Sequence, residues 1–487
     1  MKKLIILIVI LIITLPVVIF YSGKQAIKSR TGDTVYDKIA QKIPDTLKRK
    51  IKEKIFTSDH LRQEIYLKDK LIRELEIKEN KKNLIVLNHY KKLFFKKILE
   101  DEYKINNDLL KFNYFQTYHL SNPKNEYAIA SGYLDIYQDN LIIGTGDGIF
   151  LKFKLKDLST VRGKDFKNFF AEKIETNFRE IVYTDEIFKK SYYGVKDILI
   201  HNDKLLVSYT HEVKKDCFNT GLLIADFFLY QNIKFKKINY SQECAEGEVD
   251  VSHGGGRIVP FSKNEILFTS GDYYQENKVQ NLNSIFGKIL KINLITEKYE
   301  VVSYGHRNPQ GLKFLKNENL IISTEHGPIG GDEVNIIDLD KDLSDRNYGW
   351  PIASYGVGTQ TNPSSILDDK KKYKSHEGFI EPLIQYTPSI GISEIIEIPD
   401  KFISVESSVN KFFVSSLGLK VSEGDLSLHY IEANKLNDKV INKEIIPFLE
   451  RIRDIVYSEN FNYYILFLES DRRLKGGPSI SFLYKDQ

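Results

Sequence analysis

The stretch "YGHRNPQGLKF", residues 304–314, gathers His306, Arg307, Asn308 and Gln310 between Gly305 and Gly311. Arg307 offers a planar fork of donors suited to a carboxylate or a quinone oxygen, while Asn308 and Gln310 can each donate and accept. Together they suit one wall of a ligand site; alone, an Arg-Asn-Pro is an ordinary turn. In "VDVSHGGGRIV" three glycines follow His253. They leave its ring little neighbouring bulk and free the backbone, as a base facing a bound molecule requires; a surface turn histidine is the alternative. "STEHGPIGGDEVNIIDLD" combines glycines with Glu325, Asp332 and Glu333. Its carbonyl and carboxylate oxygens are of the kind that coordinate a hard cation such as Ca²⁺. In "LERIRDI", Arg451 and Arg453 alternate on a predicted strand and share one face, with Asp454 on the other. Two cations so placed repel unless an anionic ligand or an acidic side chain lies between them.

These groups are far apart in the chain, so the fold must converge them. From Gly132 onward a weak repeat recurs: an apolar strand, a polar turn and a second apolar strand, often followed by a third and fourth. Six copies open near residues 132, 194, 256, 310, 391 and 452. That spacing predicts an all-β fold, a six-bladed β-propeller over residues 126–487. Blades meet around a central channel, and loops at one mouth can aim side chains from several blades at one point. A strand from residues 82–99 is expected to complete the last blade and remove an exposed edge. A β-sandwich would explain short strands, but not six similar openings.

Residues 24–125 differ in composition. "DTLKRKIKEKIF" and "DHLRQEIYLKDKLIRELEIKENKK" are charged and lack glycine, with Leu61, Ile65, Ile72 and Leu75 near helical spacing. They predict a charged helical stalk followed by strands leading into the propeller. Ahead of it, in residues 1–23, Lys2 and Lys3 precede an apolar run from Leu4 to Phe20. At ~1.5 Å rise per residue this run approaches the ~30 Å of a bilayer core, which predicts a transmembrane signal anchor. No small-x-small cleavage site is evident near residues 21–26, and a cleaved signal peptide is the alternative. The placement expected is a single pass through a bacterial inner membrane with the catalytic domain in the periplasm.

Cys217 and Cys244 bear on that placement. They bracket a segment that reads as two strands joined by a turn near Gln231 and Asn232. An antiparallel hairpin returns its ends to one edge, so the thiols could meet as a disulfide, which an oxidising compartment favours; two free thiols are the alternative. The net charge of +4, from 70 basic and 66 acidic residues, gives no argument for nucleic acid as a partner.

In chain order, "HGGGRI", "GHRNPQGLKF", "EHGPIGGDEVN", "NYGWP", "YTPSI" and "RIRD" resemble the motifs of the glucose/sorbosone dehydrogenases. These are six-bladed propellers typified by soluble aldose sugar dehydrogenases dependent on pyrroloquinoline quinone (PQQ), and the likeness runs from about 130 to 485. The resemblance implies a PQQ- and Ca²⁺-dependent sugar dehydrogenase that oxidises an aldose at C1 to its lactone and passes electrons to a quinone or cytochrome. By the same resemblance, His253 would take the proton of the anomeric hydroxyl as hydride leaves C1, and Arg307 would stabilise charge at the quinone oxygens. Asn308 and Gln310 would hold the cofactor, Arg451 and Arg453 would pair with its carboxylates, and the carbonyls of Gly327 and Pro328 would bind Ca²⁺.

Two positions depart from the family's pattern. Gly418, in "VSSLGLK", stands where the family often has a cofactor-binding lysine; Lys420, two residues further on the same predicted face, is the candidate to bind the cofactor in its place. Tyr192, in "SYYGVKD", stands where a glutamine is common, with one glycine, Gly194, after it; as a cofactor-binding residue it could stack on the cofactor, but it does not replace an amide in kind. Losing one charge-assisted contact costs ~1.5 to 3 kcal/mol, roughly ten- to a hundredfold in affinity. The departures speak for a rival reading, a catalytically inactive propeller serving as a carbohydrate- or protein-binding module. A Ca²⁺-dependent propeller hydrolase of lactones or esters is a third.

Overall fold

A computed structural model describes residues 92–105, 108–117, 131–182, 194–229, 232–356, 372–373, 375–405, 408–418, 424–434, 439–469 and 478–486. The expected anchor and the stalk segment ahead of residue 92 lie outside these, as do Tyr192 and Lys420. Among the described residues no helix is long and apolar enough to cross a membrane.

The described body is almost all β, with strands numbered in chain order. Four sheets have four strands each. They are β7 (Val195–His201), β8 (Lys204–Lys214), β9 (Cys217–Asp226) and β10 (Lys236–Ile238); β11 (Gly255–Ser262), β12 (Glu265–Ser270), β13 (Lys288–Asn293) and β14 (Tyr299–Tyr304); β15 (Pro309–Leu315), β16 (Leu320–Glu325), β17 (Asp332–Asp338) and β20 (Ile384–Tyr386); and β21 (Ile392–Glu397), β22 (Val409–Ser416), β23 (Ser427–Asn434) and β24 (Lys439–Pro447). β18 (Ala353–Ser354) and β19 (Lys372–Tyr373) form a small parallel pair. A nine-stranded sheet joins β25 (Arg451–Ser458), β26 (Tyr463–Glu469), β27 (Ser479–Lys485), β2 (Asp108–Gln116) and β1 (Lys92–Ile105) to β6 (Asn168–Ile174), β5 (Phe150–Lys154), β4 (Asn140–Thr145) and β3 (Gly132–Tyr137).

Local sequence accounts for the hairpins. Between β7 and β8, Asn202 and Asp203 both take positive φ, +49° and +55°, so the strands join by the two-residue turn whose twist matches theirs. Where sheets stack on both sides, alternation gives way to continuous apolar runs: all seven residues of β26, "YYILFLE", are buried. Clusters such as Ile142, Phe150, Val195, Val207 and Leu223 fill the space between consecutive sheets. Each such side chain contributes ~1.5 to 3 kcal/mol of burial.

The six predicted openings coincide with β3, β7, β11, β15, β21 and β25, which pack side by side in a closed order. The strand that completes the last sheet is β2, paired with β27, rather than one from residues 82–99. β1 lies outside it, pairing β2 along most of its length and β6 near its start. A strand so placed satisfies two edges at once, and the strands expected to lead into the domain are integral to it.

Five of these inner strands carry a bulge in the same region: at Lys196, at Gly256–Arg257, at Gln310, at Ser393–Glu394 and at Arg453. A bulge re-aims a side chain off the pleat, and here it does so at most of the inner polar positions. Cys217 and Cys244 are joined by a disulfide, with Cα atoms 5.4 Å apart. The backbone beside it is antiparallel, Phe218 opposite Ala245, as the hairpin reading requires.

Candidate functional site

His253 ends a 3-10 turn, Val251–His253, capped by Asp250, whose carboxylate accepts from the Ser252 amide at 2.8 Å. The ring is buried, with Nδ1 3.1 Å from Asp272 Oδ1. Asp272 is itself held, accepting from Trp350 Nε1 at 2.8 Å and from the Tyr274 amide at 3.1 Å. A carboxylate there keeps the proton on Nδ1 and leaves the Nε2 lone pair for another proton. Burial, with help from the Arg307 charge, pulls the His253 pKa below the usual value against the opposing pull of Asp272. The imidazole is therefore neutral at pH 7, the form a general base needs.

Arg307 faces it. Its Nη2 lies 3.3 Å from His253 Nε2, while Nη1 donates to the carbonyls of His326 and Gly327, each at 2.8 Å. The guanidinium stands 5.5 Å from the centre of the Trp350 ring, and its buried Nε has no partner among the described residues. His306, next in the chain, turns the other way. Its ring hydrogen-bonds Glu325 and Ser303, each at 2.8 Å, and stacks on Tyr348, so it braces the loop from the core.

Asn308 is a strut. Its Oδ1 accepts from the Gly255 amide at 3.1 Å and from Gln310 Nε2 at 2.9 Å, and its Nδ2 donates to the Ser252 carbonyl at 3.3 Å. It thereby ties the His253 turn to β15. Gln310 reaches β25, its Oε1 accepting from Arg453 Nη1 at 3.3 Å.

Arg451 and Arg453 do share a face, and the acidic group between them is Glu469. Its carboxylate accepts from Arg451 Nη2 at 3.0 Å and from Arg453 Nε at 2.5 Å. Burial pushes Glu469 up, but Arg453 and Arg451 outweigh it and hold the carboxyl below the usual range.

The expected calcium ligands, the carbonyls of Gly327 and Pro328, are both hydrogen-bonded already. The Gly327 carbonyl accepts from the Arg307 guanidinium, and the Pro328 carbonyl from the Gly331 amide at 2.9 Å and the Ser389 hydroxyl at 3.2 Å. These carbonyls do not fit a cation in this arrangement, because one faces a positive charge and the other already serves two donors. At Gly418, an added Cβ would lie 2.1 Å from the buried Asp425 carboxylate, so no larger side chain fits there.

Sequence reasoning missed Asp272, Trp350, Glu469 and Lys196. Lys196 is buried on its bulge and donates from Nζ to the Val251 carbonyl at 2.7 Å. It also explains two of the glycines after His253: a Cβ at Gly254 would come within 2.6 Å of the Lys196 side chain, and one at Gly256 likewise within 2.6 Å. In the fold Glu469 stands opposite Arg451 across β25 and β26, a register that no local sequence signal announces.

Residues 169–475 match the family model described as Glucose / Sorbosone dehydrogenase. The chain is 28% identical over 237 residues to the aldose sugar dehydrogenase YliI of Escherichia coli K12, a match that spans 46% of this chain and 59% of that protein. Its fold is similar to the apo form of the soluble aldose sugar dehydrogenase from Escherichia coli, with TM-score 0.54 and 18% identity over 76% of this chain and 99% of the other. It is also similar to the PQQ-bound aldose sugar dehydrogenase of Streptomyces coelicolor, with TM-score 0.50 and 15% identity over 80% and 100%.

Proposed function

Because the chain belongs to the glucose/sorbosone dehydrogenase family, we propose that it is a PQQ-dependent aldose sugar dehydrogenase that oxidises an aldose at C1 to the lactone and passes electrons on to a quinone or cytochrome. The single observation that carries this is the neutral His253, oriented by Asp272 and facing the Arg307 guanidinium across 3.3 Å. The reading takes the closed order of inner strands as six blades.

PQQ, when bound, supplies the two-electron acceptor for the hydrogen that leaves C1. The residues present fit such an acidic, flat group: Arg307 has a buried Nε without a partner among the described residues, and its Nη2 lies 3.3 Å from His253 Nε2. His253 Nε2 takes the proton of the anomeric hydroxyl, and Asp272 stabilises the imidazolium that forms. Arg307 stabilises negative charge developing beside it. The names of the Escherichia coli and Streptomyces coelicolor proteins support the substrate class and the cofactor for those proteins.

The domain assignment, with an anchor in residues 1–23 and a periplasmic catalytic body, belongs to this proposal. It is supported by the Leu4–Phe20 apolar run and by the Cys217–Cys244 disulfide.

The test is turnover of an aldose panel by purified protein with an artificial electron acceptor, with and without PQQ, in calcium and in chelator. Turnover that requires PQQ is expected. Cofactor binding without turnover of any aldose would move the assignment to a binding module, the reading favoured by the Asp425 carboxylate packed over Gly418.

A further inference from the structure

We propose that Tyr274 is a positioning residue for the base, held by a strained turn so that its ring walls the His253 imidazole off from water. The proposal rests on the reading of His253 as the base and concerns a residue to which neither the motifs nor the comparisons give a role.

Tyr273 and Tyr274 follow Asp272 in the turn after β12, and both take positive φ, +51° and +65°. Glycine reaches this region freely and asparagine or aspartate at small cost, as Asn202 and Asp203 do in their hairpin. For two bulky side chains in succession it is unfavourable, and it persists only where the surroundings fix it. Here they do. The Asp272 amide donates to the Arg307 carbonyl at 2.7 Å, the Tyr273 amide to the His253 carbonyl at 3.4 Å, and the Gln275 amide to the Asp272 carbonyl at 2.6 Å. Tyr273 is buried, its hydroxyl 2.7 Å from Thr220 Oγ1.

What this conformation delivers is Tyr274. Its amide donates to Asp272 Oδ1 at 3.1 Å, the same oxygen that meets His253 Nδ1. Its ring centre lies 4.5 Å from that of His253, with the planes nearly perpendicular, and its hydroxyl bonds the Asp250 carboxylate. One half-buried residue thus touches the base and both carboxylates beside it, and its ring covers a buried imidazole from the solvent side. A glycine would make the same turn without strain and leave that imidazole uncovered.

The groups facing the imidazole are Arg307 from the loop before β15, Asp272 and Tyr274 from this turn, and Asp250 from its own, with Lys196 of β7 at the Val251 carbonyl. Tyrosine is uncharged at neutral pH, so removing Tyr274 admits water without removing a charge. Water favours the imidazolium, and the pH at which His253 gives up its proton should rise.

The test uses the full chain, wild type and the variants Tyr274→Gly, Tyr274→Ala and Tyr274→Phe. Diethyl pyrocarbonate attacks neutral imidazole, and its reaction with His253 would be followed against pH by peptide mass spectrometry, without cofactor. The wild-type midpoint should lie below 6.5. Tyr274→Phe, which keeps the ring, should match it, whereas Tyr274→Gly should react faster and with a midpoint moved up toward 6.5. Tyr274→Gly should also melt above Tyr274→Ala, because only glycine relieves the backbone. Trp350, the chain's one tryptophan, lies against Arg307 and Asp272, so its quenching by PQQ should show the pocket intact in each variant. With PQQ and an aldose, turnover should fall about tenfold or more in Tyr274→Gly and stay near wild type in Tyr274→Phe. A glycine variant whose His253 reacts as in wild type, or a phenylalanine variant shifted as far as the glycine one, overturns the proposal. A glycine variant that melts below the alanine one, or fails to fold, overturns the strained turn on which it rests. Labelling as expected in a wild type that oxidises no aldose overturns the reading of function and leaves the cover of His253 standing.

Discussion

His253 has two neighbours that pull its protonation in opposite directions, and burial decides between them. Asp272 favours the imidazolium and Arg307 disfavours it, and with desolvation the net effect lowers the pKa. A base with a lowered pKa stays deprotonated further into acid, so kcat/KM should rise with pH through a value below 6.5 and be flat from there to neutrality. A pH profile with saturating PQQ checks this. His253→Ala should lower turnover by ~10²- to 10⁴-fold, the range for a positioned general base, and leave PQQ quenching of Trp350 near wild type. His253 was readable in the sequence because three glycines mark it. Asp272 and Glu469 were not, because each reaches its partner only through the fold, 19 residues from His253 and 16 from Arg453.

At the level of strands and turns, the six openings could be read from the recurrence of apolar segments separated by polar turns. The bulges could not be read, because register is set by the partner strand. Their consequence is that the glycines after His253 serve packing as well as exposure. Gly256 has φ +106° and touches the Lys196 stem, so Gly256→Ala should cost ~1 to 3 kcal/mol, seen as a lower Tm and weaker PQQ binding. The disulfide closes a loop with a sequence separation of 27. Breaking it by Cys217→Ser should cost about 3 kcal/mol and leave one titratable thiol, Cys244, which thiol labelling of exported protein would detect.

Across the whole body, Arg257 joins the inner strands. Its guanidinium bonds Asp197 of β7 at 2.9 Å, Asp454 of β25 at 2.8 Å and Glu394 of β21 at 2.5 Å, and its Nε donates to the Gln310 carbonyl of β15. Asp454 in turn accepts from the Leu134 amide of β3 at 2.6 Å. One cation and three carboxylates thus tie all six strands at the axis. Arg257→Met strands those carboxylates in the interior and should cost ~3 to 5 kcal/mol, a fall in denaturation midpoint well beyond that of Gly256→Ala. Arg257 lies within "HGGGRI", yet its partners are 60 and 197 residues away, and nothing local in the sequence pointed to them. The measurement that tests the central claim most directly is anaerobic mixing of PQQ-loaded protein with an aldose, following the absorbance of the bound quinone. Reduction of one quinone per chain by wild type, and its near absence in His253→Ala, is the predicted result. A bound quinone that no aldose reduces, or one reduced equally fast in the variant, would contradict the account.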